Sequence, residues 1–160
     1  MSSQQDFIEK LRQSGIRLDS QGRWWHEGQE VTHRRFGQAL LRWLDRLPDG
    51  RTILRFDEIR YAYVDVDDAH LLVTSVWWER NRAMIRLNDG TSEELQYTSL
   101  EQASDNALYC RVRQETLIAR FQTQPYLQLA ERIEEGDGGQ FALRAAGGLH
   151  PIAVRSSEAC

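Results

Sequence analysis

The stretch Thr32–Gly50, THRRFGQALLRWLDRLPDG, decides the fold. Phe36, Leu40, Trp43, Leu44 and Leu47 recur at the spacing of one helical face, which predicts a helix over 33–47. Thr32 is placed to cap it, and Pro48-Asp49-Gly50 ends it in a turn where Gly50 can take positive φ. Arg34, Arg35, Arg42 and Arg46 fall mostly off that face, as a solvated surface or as a contact surface for phosphate. A helix with one apolar face needs something to cover, and the segments on either side are strand-like. The class is α+β.

Upstream, Ser3 can cap a short helix carrying Phe7, Ile8 and Leu11, which Gly15 stops. Arg23–His26 and Gln29–Val31 then read as a small hairpin around Glu27-Gly28. Downstream, Thr52–Val66 alternates as strands, and Leu71–Trp78 is strongly β-prone. Asn88-Asp89-Gly90 is the clearest hairpin turn in the chain, so the middle reads as an antiparallel meander. A second helix is expected over 124–135, presenting Tyr126, Leu129, Ala130 and Ile133, with Pro125 tolerated in its first turn. The order strand, strand, helix, glycine turn, strand thus occurs twice. Gly50, Leu54 and Arg55 recur as Gly139, Leu143 and Arg144 at an offset of 89, and Arg35-Phe36 as Arg120-Phe121 at an offset of 85. These points divide the chain into an N-terminal helix (1–14), a first α+β half with the meander (15–98), a second half (99–154) and a disordered tail (155–160).

One hundred and sixty residues make one ordinary domain, or two small halves sharing a core. No run of apolar residues is long enough to cross a membrane, and Met1–Asp6 is too polar to open a secretory leader. Lys+Arg 20 against Asp+Glu 24 leaves a net charge of -4, which disfavours a dedicated nucleic-acid binder. Lys10 is the sole lysine, so nearly every cation is a planar, fork-shaped guanidinium. Cys110 and Cys160 read as free thiols of a reducing compartment, so a cytoplasmic protein is expected. No CxxC pair exists and His26, His33, His70 and His150 are scattered, so neither zinc nor another cofactor is expected.

Asp65, Asp67, Asp68 and His70 form the densest polar group. They would be the candidates for a metal-dependent hydrolase, but the later ligands of a calcium loop are absent and no G-x-S-x-G elbow supplies a nucleophile. Carboxylates also gather where a strand enters a turn for purely structural reasons. Strand alternation puts Cys110 in the core with Val112, opposite Arg111 and Arg113. Those two arginines share a face and could hold a carboxylate or phosphate. Within each of the pairs Trp24-Trp25 and Trp77-Trp78, one indole should point inward and one outward. Outward indoles mark a ligand groove or a partner surface, or else await cover by a helix.

Gly15-Ile16-Arg17-Leu18-Asp19-x-x-Gly22-x-Trp24, then His26-x-Gly28-x-x-Val31 and Tyr63-x-Asp65-Val66-Asp67-Asp68-Ala69, resemble the uncharacterised DUF1285 family of bacterial proteins. Tyr109–Arg113 and Leu117–Arg120 are similar to that family's closing region. His70 and Gln114-Glu115 depart from the family pattern, which there has a proline and a glycine pair. The resemblance implies two similar β-β-α-β motifs packed around curled, mainly antiparallel sheets, and a role in signal transduction. It transfers no catalytic or ligand residues.

The reading that results is a non-catalytic regulatory or signalling-type domain. It would bind a small molecule or protein partner through Trp24, Trp25, Trp77, Trp78, Arg111 and Arg113, with a homodimer left open. The alternative is the hydrolase of the Asp65 group.

Overall fold

The apolar run after Thr32 does build a helix, but a shorter one than its periodicity suggests. In the computed structural model, which describes residues 15–156, helix α1 spans Arg34–Arg42. His33, not Thr32, caps it: the His33 ring Nδ1 accepts the Phe36 N–H at 3.1 Å. Leu44–Arg46 is strand β4 instead of a last helical turn. It pairs antiparallel with β5 (Thr52–Arg55), placing Leu44 opposite Leu54, through the turn at Pro48–Gly50. Leu44 was counted on the helical face, yet an inward strand position satisfies it equally well. The second helix is cut in the same way. Helix α2 covers Thr123–Ala130, and Ile133–Glu135 is strand β13, paired with β14 (Phe141–Ala145). The helix expected within 1–14 lies outside the described residues.

The chain divides into two units, 1–70 and 71–160. The first holds β1 (Ile16–Leu18), β2 (Trp24–His26), β3 (Gln29–Val31), α1, β4, β5 and β6 (Tyr61–Val66). Its sheet runs β3-β2-β1-β6-β5-β4, antiparallel except where β1 meets β6. Leu18, Ile53, Leu54 and Ala62 are wholly buried in its core.

The second unit opens with the expected meander, β7 (Leu71–Glu79), β8 (Arg82–Leu87) and β9 (Ser92–Glu94). Then come β10 (Glu101–Gln102), β11 (Leu108–Val112), β12 (Leu117–Phe121), α2, β13, β14, β15 (Gly148–Pro151) and β16 (Ala153–Val154). They form one sheet ordered β16-β10-β11-β12-β7-β8-β9 and another ordered β13-β14-β15.

The α+β class stands, but curled sheets do not. Among the described residues each sheet is open, ending on two different edge strands, and none closes on itself. The recurring segment is also not β-β-α-β. It is three strands, a helix and three strands: β1-β2-β3-α1-β4-β5-β6 is matched by β10-β11-β12-α2-β13-β14 and the bent strand β15–β16. The parallel pair β1–β6 has its counterpart in β10–β16. Local hydrogen bonds repeat with it. Trp43 N donates to Leu40 O at 3.1 Å, as Arg132 N does to Leu129 O at 3.0 Å. Arg55 N donates to Trp43 O, and Arg144 N to Arg132 O, both at 2.9 Å. Gly50 and Gly139 are therefore equivalent, as their offset of 89 predicts. Phe36 and Phe121 are not: Phe36 lies in α1, whereas Phe121 ends β12.

Candidate functional site

In the first unit, strand alternation turns Ile16, Trp24, His26 and Val31 toward one side of the sheet. Trp24 is buried, and its indole N–H donates to the Gly37 carbonyl of α1 at 3.0 Å, fixing the helix over that side. Leu40 on α1 and Leu54 on β5 complete the floor of a cavity of about 240 Å³. Phe36, Trp43 and Phe56 form its rim, and these large aromatics are 48%, 42% and 38% exposed. Trp43 and Phe56 meet edge to face, centroids 5.7 Å apart at 77°. The Trp25 indole reaches the rim from the other side of its strand. Its N–H donates to Asp19 at 2.9 Å, and Arg17 lies over its ring. Asp19 also accepts the Gln21 and Arg23 backbone N–H groups. Burial works to raise its carboxyl, but these bonds outweigh it and hold it below the usual carboxylate range.

The equivalent positions of the second unit are closed. Leu108, Cys110, Leu129, Leu143 and Ala145, which stand where Trp24, His26, Leu40, Leu54 and Phe56 stand in the first, are all at most 3% exposed. Arg132 occupies the place of Trp43 and stacks on Trp78, its guanidinium carbon 3.9 Å from the ring centroid. The second unit has a larger hollow of about 510 Å³ near Arg132, Glu134 and Arg144, but Glu134 and Arg144 are already paired with each other there.

The six candidate binding residues divide between the units. Trp24 and Trp25 belong to the groove of the first. Trp77 and Trp78 are half-buried on β7, the Trp77 N–H 3.4 Å from Glu79 and Trp78 under Arg132. Arg113 forms an ion pair with the buried Asp89, while Arg111 is exposed. Cys110 is buried in the core, and that burial pushes its thiol far up.

The acidic group does not converge either. Asp67 pairs with Arg17 at 2.8 Å, Asp65 is exposed on β6, and the buried His70 meets Thr52 Oγ1 at 2.9 Å. Among the described residues no group of three or more His, Cys, Asp or Glu comes together as a metal site needs. No described helix is long and apolar enough to cross a membrane.

Phe36, Trp43 and Phe56 were missed as site residues because their spacing reads as core. No signal in the sequence separates them, because the helix length is set by the pairing of β4 with β5. Once Leu44 is a strand residue, Phe36 and Trp43 lie at opposite ends of α1 with no third helical turn beside them.

The fold matches that of known crystal structures. A DUF1285 family protein from Silicibacter pomeroyi DSS-3 superposes with a TM-score of 0.73 at 20% identity, covering 88% of this chain and 80% of that one. A second, from Shewanella baltica OS155, gives 0.62 at 16% identity, covering 74% and 91%. The chain has the DUF1285 fold. The resemblance read from the motifs around Trp24 and Asp65 is thus met at the level of the fold, and at these identities the likeness is one of fold alone. No family model matches the sequence, and no curated protein matches it.

Proposed function

We propose that this chain, with its DUF1285 fold, is a non-catalytic, regulatory domain that docks apolar side chains of a protein partner in the groove of its first unit. The observation that carries this reading is the rim of three exposed aromatics around an apolar cavity. Singly exposed apolar residues are ordinary, but contiguous ones around a concavity mark binding surfaces. A volume of about 240 Å³ falls below the usual range for drug-sized ligands and suits one or two side chains. That favours a protein segment over a free small molecule. Trp24 supports the floor, since its bond to Gly37 holds helix and sheet at a fixed spacing. The unbridged, buried Cys110 suits a reducing, cytoplasmic setting.

The test is titration of the isotope-labelled full chain with N-acetyl-tryptophanamide and N-acetyl-leucinamide, followed by NMR. Shifts confined to the Trp24 and Trp43 indole N–H groups and the Leu40 and Leu54 methyls support the reading. Shifts scattered over the surface, or none at millimolar probe, refute it.

A further inference from the structure

Among the described residues the sheet of the first unit ends at β3, whereas its counterpart β12 carries a further strand, β7. Two registers make the equivalence residue by residue. Trp25 lies opposite Glu30 and His26 opposite Gln29, as Tyr109 lies opposite Arg120 and Cys110 opposite Ala119. Val31 therefore stands where Phe121 stands. Strand β7 runs parallel to β12, setting Leu71, Leu72 and Val73 against Ala119, Arg120 and Phe121, and Gln122 N donates to Val73 O at 3.1 Å. By alternation Leu71 and Val73 share one side of the sheet with Ala119 and Phe121. Both are buried, and α2 packs against β7. Pro125, in the first turn of α2, is buried as well.

Strand β3 presents the same edge with no such strand on it. The two-residue turn Glu27-Gly28 closes its hairpin, so His26 and Gln29 are the hydrogen-bonded pair and Glu30 turns its N–H and C=O outward. Gln29 and Glu30 are exposed and Val31 is half-buried. Val31 also lines the groove, and Phe36, which stands in α1 where Pro125 stands in α2, is 48% exposed at its rim. A strand laid along β3 thus brings alternate side chains to the side of the sheet that holds the groove.

Resting on the groove as the docking site, we propose that the protein partner contributes an extended segment that joins β3 as a parallel strand, as β7 joins β12. The Glu30 N–H donates to the C=O of the first residue of that segment, and the Glu30 C=O accepts the N–H of the third. The first and third residues, beside Gln29 and Val31, are aliphatic, as Leu71 and Val73 are. The second faces the other way beside Glu30, where a lysine or arginine complements the exposed carboxylate. The chemistry recognised is an aliphatic–basic–aliphatic stretch read through its main chain.

The probe is acetyl-Ser-Val-Lys-Val-Ser-amide, titrated into the isotope-labelled full chain and followed by NMR. The Glu30 amide should shift downfield and exchange roughly tenfold more slowly, with the Val31 methyls and the Phe36 ring shifting alongside. Methylating the nitrogen of the peptide's second valine removes its bond to the Glu30 carbonyl, keeps the side chains, and should weaken binding roughly tenfold. Glu30→Lys, a change at an exposed site, should reverse the preference toward acetyl-Ser-Val-Glu-Val-Ser-amide. A nitroxide on the peptide's N-terminus should broaden Gly28 more than Thr32, and the reverse order overturns the parallel arrangement. A Glu30 amide protected in the parent chain alone and released on dilution assigns the edge to a second copy and overturns the proposal. Peptide binding without change at the Glu30 amide, or no peptide binding while N-acetyl-tryptophanamide still binds, overturns it and leaves the groove reading standing. Failure of both probes overturns both.

Discussion

Asp89 stands in the turn at Asn88–Gly90 with no exposed surface, and its carboxylate accepts both the Thr91 N–H at 2.9 Å and the Thr91 hydroxyl at 2.6 Å. The Arg113 guanidinium completes the arrangement. Burial alone would raise the carboxyl, but these bonds outweigh it and hold it below its ordinary value. A carboxyl lowered on folding contributes stability that is complete above its unfolded pKa, about 4, and is lost as pH falls through the folded value. Glu93, which also faces Arg113, is raised chiefly by burial. Its contribution has the opposite sign, present at low pH and lost as pH rises through its folded value. Comparing Asp89→Asn with the parent isolates Asp89. The variant should be less stable by about 2 kcal/mol near neutrality, where it takes a negative charge away from the part-buried Arg113 guanidinium. The gap should narrow as pH is lowered below about 4. Denaturant melts across that range check it, and a gap independent of pH would refute the charge argument. The turn itself was legible from Asn88-Asp89-Gly90. The buried carboxylate was not, because its partner Arg113 is reached only after β9, β10 and β11 have been threaded.

At the level of elements, the misplaced helix ends come from one physical ambiguity. Leu40, Leu44 and Leu47 fit a helical stripe, while Leu44-Asp45-Arg46 also fits a short strand, and periodicity cannot choose over three residues. The choice is made by the turn that follows. Gly50 N donates to Leu47 O at 2.8 Å and Leu47 N to Arg51 O at 2.9 Å, which closes a hairpin between β4 and β5. Gly50 sits at φ +92°, and a Cβ there meets no atom within 4 Å. Gly50→Ala should therefore cost about 1 kcal/mol from backbone conformation alone, with no clash. Gly148 is equally open but does not lie at positive φ, so Gly148→Ala should change stability by less than about 0.5 kcal/mol. Thermal or denaturant melts of the two variants give the comparison, and equal effects would remove the conformational explanation. The same ambiguity hid the site. Phe36 and Trp43 looked like core because the helix was read as long enough to need a sheet along its whole length. The inward and outward split of Trp24 and Trp25, by contrast, was legible, since two residues of one strand cannot share a face.

Across the whole molecule, one strand–helix–strand pattern is used twice in unlike surroundings. The sequence kept only scraps of that repetition. Leu54-Arg55 and Leu143-Arg144 survive, as do the acidic partners of those arginines, Asp45 and Glu134. Leu108 stands in the place of Trp24 and Arg132 in that of Trp43, and the turn between β11 and β12 is longer than that between β2 and β3, so no single offset spans both copies. The surroundings should show in hydrogen exchange. Strand β12 lies between β11 and β7, with Phe121 in register with Val73 and Gln122 N donating to Val73 O at 3.1 Å. Its counterpart β3 is, among the described residues, an edge strand bonded to β2 alone. An edge strand's outward amides open without breaking the sheet, whereas those of an inner strand exchange only with larger unfolding. Amides of Leu117–Phe121 should thus exchange at least roughly tenfold more slowly than those of Gln29–Val31. Because the comparison is made within one chain, pH and temperature affect both strands alike. Equal protection would mean that the outer edge of β3 is paired in solution, and the contrast between the two copies would then lie in the aromatic rim alone.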